Sequence, residues 1–256
     1  HIKTLSFREY LNFKGKRFEN FQLHREEILR EFHSFLICNG FPEIITENKE
    51  DAAKYVNENV IDRVIYQDIP QIVPIGNPAI LNQIFRIILD DPGEIINMGE
   101  LAKELGIARQ TVSLYIDYLE KSYLIRKLYN YSRNARKTQR RFKKYYPTII
   151  TPDIIDKQEL FGKVFETALV NQLNAEFFWR DSFKNEVDII QPQPRIAIEI
   201  KSGELKEKDL ISLQKFIRKF KPTKAIVISY DIKREFGGIS AIPFYEYLLE
   251  KEATIR

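Results

Sequence analysis

The chain has 256 residues, 44% of them hydrophobic and 12% aromatic, which is enough for two or three ordered domains and argues against disorder. A single cysteine, Cys38, excludes an intrachain disulfide and a cysteine-based zinc site, and three scattered histidines argue against a zinc cluster. The net charge is only +4 and no apolar run reaches the ~20 residues of a membrane span, so we expect a cytoplasmic protein.

The first part of the chain, residues 1–76, is predicted to be helical. Between His24 and Cys38, apolar side chains recur at helical spacing, and Asn39-Gly40 supplies a C-terminal stop. Two further helical segments, 52–60 and 61–72, precede a stretch broken by proline and glycine. We assign this part to packing.

Residues 77–144 have the pattern of a winged helix-turn-helix domain. Pro78 after Asn77 is typical of a helix start, and Asn97 with Glu100 forms a capping pair. The apolar positions of residues 101–119 have the spacing of a helix-turn-helix core. On the second helix, arginine and glutamine would read base edges and hydroxyl groups would bind phosphates. The residues expected to face outward there are Arg109, Gln110, Thr111, Ser113 and Tyr115.

A basic segment follows the helix pair. Ten Lys/Arg and no Asp/Glu lie from Lys121 to Pro152. Because the whole chain carries +4, the other residues together carry a net charge of 4 − 10, or about −6. Such a local charge favours a polyanion-binding surface. The strand-like residues 123–131 and the loop 132–144 are therefore predicted to form a DNA-gripping wing, with contact to another protein as the alternative. The candidate DNA contacts are Arg133, Arg136, Lys137, Arg140, Arg141, Lys143 and Lys144.

Charged residues also interrupt the apolar strands of a predicted β-hairpin at 185–201. Side chains alternate along a strand, so Glu199 and Lys201 share a face, and the turn at 191–194 brings Asp188 beside them. Paired carboxylates suit Mg²⁺, and a nearby lysine can offset charge on a phosphoryl group. An isolated Glu-x-Lys is usually a solvated pair, but Asp188 interrupts an apolar run, where an unpaired carboxylate is costly. Glu166 similarly falls on the buried stripe of a helical run at 161–173.

Glu166 on a helix, Asp188 on a strand and Glu199-Ile200-Lys201 on the next strand resemble the core of the PD-(D/E)XK nuclease-like superfamily. The helical run 206–220 and the apolar strand 224–230 fit the rest of that core. The resemblance implies that Asp188, Glu199 and the backbone carbonyl of Ile200 bind Mg²⁺ or Mn²⁺. It implies that Lys201 positions the attacking water and that Glu166 serves a second metal or its water shell. Gln214 would be an accessory residue at the edge of the site.

A wider resemblance covers nearly the whole chain. Four features of the chain look like the region after the ATPase core in a prokaryotic AAA+ ATPase family. They are the motif Leu-Ser-Phe-Arg-Glu-Tyr-Leu from Leu5, the Gly-Phe-Pro-Glu from Gly40, the winged-helix segment and the Glu-Val-Asp/Glu-Ile-Lys-Ser-Gly pair. This resemblance implies a C-terminal fragment, as does His1 in place of methionine. No Gly-x-x-x-x-Gly-Lys-Ser/Thr loop occurs, so ATP binding is expected only upstream of His1.

The sequence therefore predicts a multidomain protein of the α+β and α/β classes. A helical part (1–76) would contact the ATPase core, a winged-helix domain (77–144) would bind DNA, and residues 145–256 would form a restriction-endonuclease-like α/β domain. The leading function is DNA binding with Mg²⁺-dependent phosphodiester hydrolysis. The alternative is a catalytically inactive DNA-binding or regulatory appendage of the ATPase, since a fold does not guarantee chemistry. The oligomeric state stays open.

Overall fold

The computed structural model describes residues 4–140 and 142–250, without the side chains of residues 135, 139 and 140. The α-helices are α1 (Phe7–Phe13), α2 (Arg25–Cys38), α3 (Lys49–Lys54), α4 (Ile69–Ile72), α5 (Pro78–Asp90), α6 (Met98–Glu104), α7 (Arg109–Lys121), α8 (Ala135–Arg140), α9 (Pro152–Ile155), α10 (Phe161–Gln172), α11 (Ile211–Phe220) and α12 (Phe244–Glu250). The strands are β1 (Glu94–Ile95), β2 (Ile125–Asn130), β3 (Lys143–Pro147), β4 (Phe177–Arg180), β5 (Glu186–Val187), β6 (Ile189–Pro192), β7 (Arg195–Lys201), β8 (Lys224–Ser229), β9 (Arg234–Phe236) and β10 (Ile239–Pro243). Among the described residues, none of the helices combines the length and the apolar character that crossing a membrane requires.

The N-terminal part is helical, as predicted. α2 ends where Asn39 adopts a left-handed conformation, with φ of 50°. Gly40 follows at φ +69°, where a Cβ atom would come within 2.4 Å of the Leu5 carbonyl oxygen, so only glycine fits. The two predicted segments after residue 52 form one continuous helical stretch. Its middle, Tyr55–Asp62 and Val64–Asp68, is π-helical, between α3 and α4.

The helix starts predicted at Asn77 and Asn97 are confirmed. The Asn77 side chain accepts a hydrogen bond from the Ala79 amide at 3.0 Å, and the Asn97 side chain accepts from the Gly99 amide at 3.0 Å. Gly106, at φ +64°, makes the turn between α6 and α7. β2 and β3 then pair antiparallel. The predicted loop 132–144 is only partly a loop, because it contains α8 and the first two residues of β3.

Two mixed five-stranded sheets follow one another along the chain. The first has the order β1-β3-β2-β4-β5 and the second β6-β7-β8-β10-β9. In the first, β2 pairs parallel with β4 through Tyr129 and Phe177, so the strands after the helix pair continue into the C-terminal region. In the second, β7, β8 and β10 are parallel, and β6 forms the predicted hairpin with β7. β4 was not predicted, and the strand predicted from Asn185 is divided at Asp188 into β5 and β6.

Aromatic packing joins the N-terminal helices to the C-terminal region. The Phe32 ring of α2 lies 5.2 Å from that of Phe7 and 4.2 Å from that of Phe244 on α12. One buried cluster runs from Phe7 to Tyr245 through all three predicted ranges, and the boundary at 144/145 falls inside β3. A second cluster, with Trp179 and Phe216, lies between α11 and the sheets.

Candidate active site and basic surface

Asp188 and Glu199 lie side by side at the β6–β7 hairpin. Asp188 directly precedes β6, and its Oδ2 accepts a hydrogen bond from the Ile200 amide at 2.7 Å. Glu199 lies on β7 with only 7% of its surface exposed, and its Oε1 is 3.2 Å from the Lys201 Nζ atom. The structure thus brings together the three charged groups that strand alternation placed on this hairpin.

The two buried carboxylates are only partly compensated. The Glu199 Oε2 atom is buried and accepts no hydrogen bond among the described residues. Burial, followed by the charge of Glu166, raises the pKa of Asp188 to about 7. Burial and then the charge of Asp188 raise the pKa of Glu199 well above its ordinary value, although Lys201 opposes this. Both carboxyl groups therefore bind a proton more tightly than free carboxyl groups do, and a cation would compete with that proton.

Lys201 keeps its charge at this site. Burial alone lowers the pKa of Lys201, but the carboxylates of Glu199 and Asp188 outweigh it, and the pKa lies above its ordinary value. About 30% of the side chain is exposed, so the ammonium group faces both the buried acids and solvent.

Glu166 makes contacts that the sequence did not predict. Its Oε1 atom accepts from the Tyr146 hydroxyl group at 2.5 Å and lies 3.0 Å from the Lys144 Nζ atom. Lys144 also reaches Glu186 Oε1 at 2.8 Å. This corrects the placement of Lys144 on the DNA-gripping wing: its side chain is only 8% exposed and is held inward by two carboxylates, so it does not face solvent.

The residues present fit a single hard cation with few protein ligands. Within the described ranges, no group of three or more His, Cys, Asp or Glu side chains is arranged to hold a metal ion. Mg²⁺, however, commonly binds through one or two carboxylates and keeps its other positions for water and phosphate oxygens. Asp188 and Glu199 supply two carboxylates, one with an unpartnered buried oxygen. Ile200, whose amide faces Asp188, is the residue whose carbonyl was predicted as a third ligand.

On the helix pair, most of the predicted contact residues face solvent. Arg109, Gln110 and Ser113 are exposed on the first turns of α7, and Thr111 is half-buried. Tyr115 is not outward-facing: it is 5% exposed, and its hydroxyl group accepts from the Asn77 amide at 3.3 Å. The exposed set forms a polar surface at the N-terminal end of α7.

The basic segment lies against α11. Arg133 is exposed, and its Nη2 atom donates to the Lys219 carbonyl oxygen at 3.3 Å. Arg136 and Lys137 are exposed on α8, and the Lys143 ammonium group lies 5.7 Å from the centre of the Tyr129 ring. The side chain of Arg140 and the whole of Arg141 lie outside the described residues. Exposed cations of α11 thus extend the basic segment.

Gln214 is exposed on α11. The α11 residues that contact the strand before Asp188 include Ser212, whose Oγ accepts from the Glu186 amide at 3.2 Å. Lys215 donates to Asn185 Oδ1 at 2.7 Å. These two contacts place α11 against β5 and the residue before it, ahead of Asp188 in the chain.

Sequence reasoning missed Lys144, Tyr146 and Glu186. Lys144 and Tyr146 are two residues apart on β3, so strand alternation alone places them on one face. Their partner Glu166 lies on α10, and nothing local in the sequence indicates that β3 and α10 pack together. Glu186 belongs to a two-residue strand, which is too short to show alternation.

Comparisons with known proteins give matches of unknown function. Residues 29–148 match the model of a domain of unknown function, DUF8612, and residues 161–247 match another, DUF4143. The first match spans the π-helical stretch, the helix pair and the strands β1 to β3. The second spans α10, the carboxylate pair and β8 to β10. No solved structure matches the chain significantly.

Three curated relatives are also uncharacterised. MJ1544 of Methanocaldococcus jannaschii is 28% identical over 51% of this chain and 31% of its own length. MJ1637 of the same organism is 27% identical over 74% of this chain and 43% of its own length. A Haemophilus influenzae protein is 23% identical over 51% of this chain and 32% of its own length. The chain thus spans less than half of the length of each of these relatives.

Proposed function

We propose that this chain binds DNA and hydrolyses its phosphodiester bonds with Mg²⁺ at Asp188 and Glu199. The observation that carries the proposal is the buried carboxylate pair with an unpartnered oxygen and a lysine 3.2 Å away. Buried charges are normally paired or bind metals, because an uncompensated buried carboxylate costs several kcal/mol. A cation bound between Asp188 and Glu199 would offset this cost and explain why both carboxylates are buried. We further propose that α10, β6 to β8 and α11 form a PD-(D/E)XK nuclease-like core.

Each residue of the proposed site would have a separate part in the reaction. Asp188 and Glu199 would hold the ion, with the Ile200 carbonyl group as a further ligand. Bound Mg²⁺ lowers the pKa of its water and offsets charge on the phosphoryl oxygens. Lys201, which stays charged beside Glu199, would orient the attacking water. It would also stabilise the negative charge of the pentacoordinate transition state. The Ile200 amide fixes the Asp188 carboxylate in place through its 2.7 Å hydrogen bond.

We propose that α5 to α7 with β2 and β3 act as a winged helix that positions the duplex. Arg109, Gln110, Thr111 and Ser113 would contact the groove and its phosphates from α7. Arg133, Arg136, Lys137 and Lys143 would contact phosphates, together with Arg140 and Arg141. Phosphate contacts would supply most of the affinity, and they make binding strongly salt-dependent. Lys144, which is buried, has no part in this surface.

A second candidate function is an inactive DNA-binding appendage of an AAA+ ATPase whose nucleotide-binding core lies upstream of His1. One observation favours it: the Glu166 Oε1 atom already accepts from Tyr146 and contacts Lys144. If cleavage required Glu166 to bind metal, these contacts would have to break first. The two candidates agree on DNA binding and differ only in cleavage.

Cleavage tests the proposal directly. The purified chain is incubated with duplex, branched and single-stranded DNA in Mg²⁺ or in EDTA, beside Lys201→Ala and Lys224→Ala. Lys224 is an exposed lysine near the opposite end of the same sheet and is the matched control. We expect metal-dependent cleavage by the parent chain and Lys224→Ala, with at least a hundredfold loss in Lys201→Ala, the size typical of losing one transition-state charge contact. Equal cleavage by all three proteins would indicate contamination and refute the assignment.

A further inference from the structure

Lys144 is a buried cation inside the candidate site. It is 6% exposed, and its Nζ atom lies 3.0 Å from Glu166 Oε1 and 2.8 Å from Glu186 Oε1. The ammonium group also lies over two aromatic rings, 5.5 Å from the centre of Tyr146 and 5.8 Å from that of Phe178. A buried lysine is retained only where its charge is fully used, because its desolvation costs several kcal/mol.

Glu166 contacts this cation through one oxygen, Oε1. The same Oε1 atom that contacts Lys144 accepts the Tyr146 hydroxyl group at 2.5 Å. Lys144 and Tyr146 occupy alternate positions of β3, so their side chains leave the strand on one face and reach α10 together. The chain thus builds a donor pair that holds the Glu166 carboxylate in one orientation.

The charges divide into two sets. Glu166 and Glu186 are matched by Lys144 and by Arg180, whose Nη1 atom is 3.4 Å from Glu186 Oε2. Asp188 and Glu199 have Lys201 alone, and Glu199 Oε2 has no partner. The first set has two carboxylates and two cationic groups, whereas the second has two carboxylates and one cationic group. A divalent cation is therefore attracted to the second set.

We propose that Lys144 takes the place of a second metal ion, so that the site binds one divalent cation, at Asp188 and Glu199. The proposal rests on the proposed function and deepens it. Lys144 is then a positioning residue that fixes Glu166 and supplies permanent positive charge beside the metal. Without the ammonium group, the carboxylates of Glu166 and Glu186 would face each other across a vacated position and would themselves bind a cation.

Ion counting tests this proposal without relying on cleavage. The number of bound Mn²⁺ ions and their Kd are measured by calorimetry and by electron paramagnetic resonance on the parent chain, Lys144→Met and the double variant Lys144→Met/Glu166→Gln. Methionine keeps the length of the lysine stem and removes only its charge. We expect one ion in the parent chain, two in Lys144→Met and one again in the double variant.

Two results would overturn the inference. A parent chain that binds two ions would show that Lys144 yields to a metal, and a Lys144→Met protein that binds one ion would show that the ammonium group occupies no ion position. If Lys144→Met fails to fold, Glu166→Gln alone decides: its amide oxygen can still accept from Tyr146, and it should bind one ion with a Kd within about threefold of the parent value. Loss of the ion in that variant refutes the proposal.

The outcome separates this inference from the proposed function. One ion without any DNA cleavage leaves Lys144 in its assigned role and removes the nuclease activity. Two bound ions together with DNA cleavage would support the nuclease activity and remove the role assigned to Lys144. A parent chain that binds no ion at all removes both, because each requires a cation at Asp188 and Glu199.

Discussion

Replacing Asp188 by asparagine should stabilise the metal-free protein, and more so at high pH. Asparagine keeps the oxygen that accepts from the Ile200 amide and removes only the charge. Burial and the charge of Glu166 raise the pKa of Asp188 from 3.8 to about 7. The folded chain therefore holds this proton more tightly than the unfolded chain, and the free energy of unfolding falls as pH rises from about 4 to about 7.

The size of the effect follows from the pKa. At 1.36 kcal/mol for each pH unit, the rise from 3.8 to about 7 costs the parent chain up to about 4 kcal/mol above pH 7. Part of this cost is already present at pH 5. The stability advantage of Asp188→Asn over the parent chain should thus grow by about 2–3 kcal/mol between pH 5 and pH 8.

Urea unfolding in EDTA at pH 5, 6, 7 and 8 measures this difference. Asp181→Asn is the control: burial raises the pKa of Asp181, but the hydrogen bonds from Asn185 and Phe183 together outweigh it, so the pKa is lowered. Both the folded and the unfolded chain have this carboxyl ionised above pH 5, so the stability difference between Asp181→Asn and the parent chain should stay constant from pH 5 to pH 8. An Asp188→Asn advantage that is the same at pH 5 and pH 8 would refute the reasoning. Saturating Mn²⁺ should stabilise the parent chain more than the variant.

The remaining predictions concern DNA binding, metal binding and packing. Arg136→Glu/Lys137→Glu should weaken DNA binding and reduce the slope of log K against log salt by about 2, measured by fluorescence anisotropy; an unchanged slope would remove α8 from the binding surface. Mg²⁺ affinity of the parent chain, measured by calorimetry, should increase as pH rises through about 7, because the Asp188 proton must leave; a pH-independent affinity would place the ion elsewhere. Phe32→Ala should lower the free energy of unfolding by about 3–5 kcal/mol, whereas Phe183→Ala, at an 84% exposed position, should leave it unchanged.

Local signals in the sequence predicted many of the elements. The end of α2 at Asn39-Gly40 and the starts of α5 and α6 after Asn77 and Asn97 were predicted because caps and turns depend on residues next to one another. Strand alternation likewise placed Glu199 and Lys201 together on β7. Each of these relations spans a few residues, so composition and spacing are sufficient to reveal it.

The features that escaped prediction depend on distant contacts. Lys144 belongs to a run of basic residues, and its positive charge alone gave no reason to distinguish it from exposed neighbours such as Lys137. Its burial arises because β3 packs against α10, which brings Glu166 to it from 22 residues away. The parallel pairing of β2 with β4 joins Tyr129 to Phe177 in the same way. Propensity and charge patterns carry no information about such partners.

The β2–β4 pairing has a mechanical consequence. Backbone hydrogen bonds run from the Tyr129 amide to the Glu176 carbonyl oxygen and from the Tyr131 amide to the Phe178 carbonyl oxygen, at 2.8 and 2.7 Å. They join the two halves of the chain in a single ladder. A hinge at this point would have to break these hydrogen bonds, so β2 and β4 keep their relative positions. If α7 binds DNA and Asp188 and Glu199 cleave it, as proposed, this ladder favours a cut at a fixed distance from the site that α7 binds.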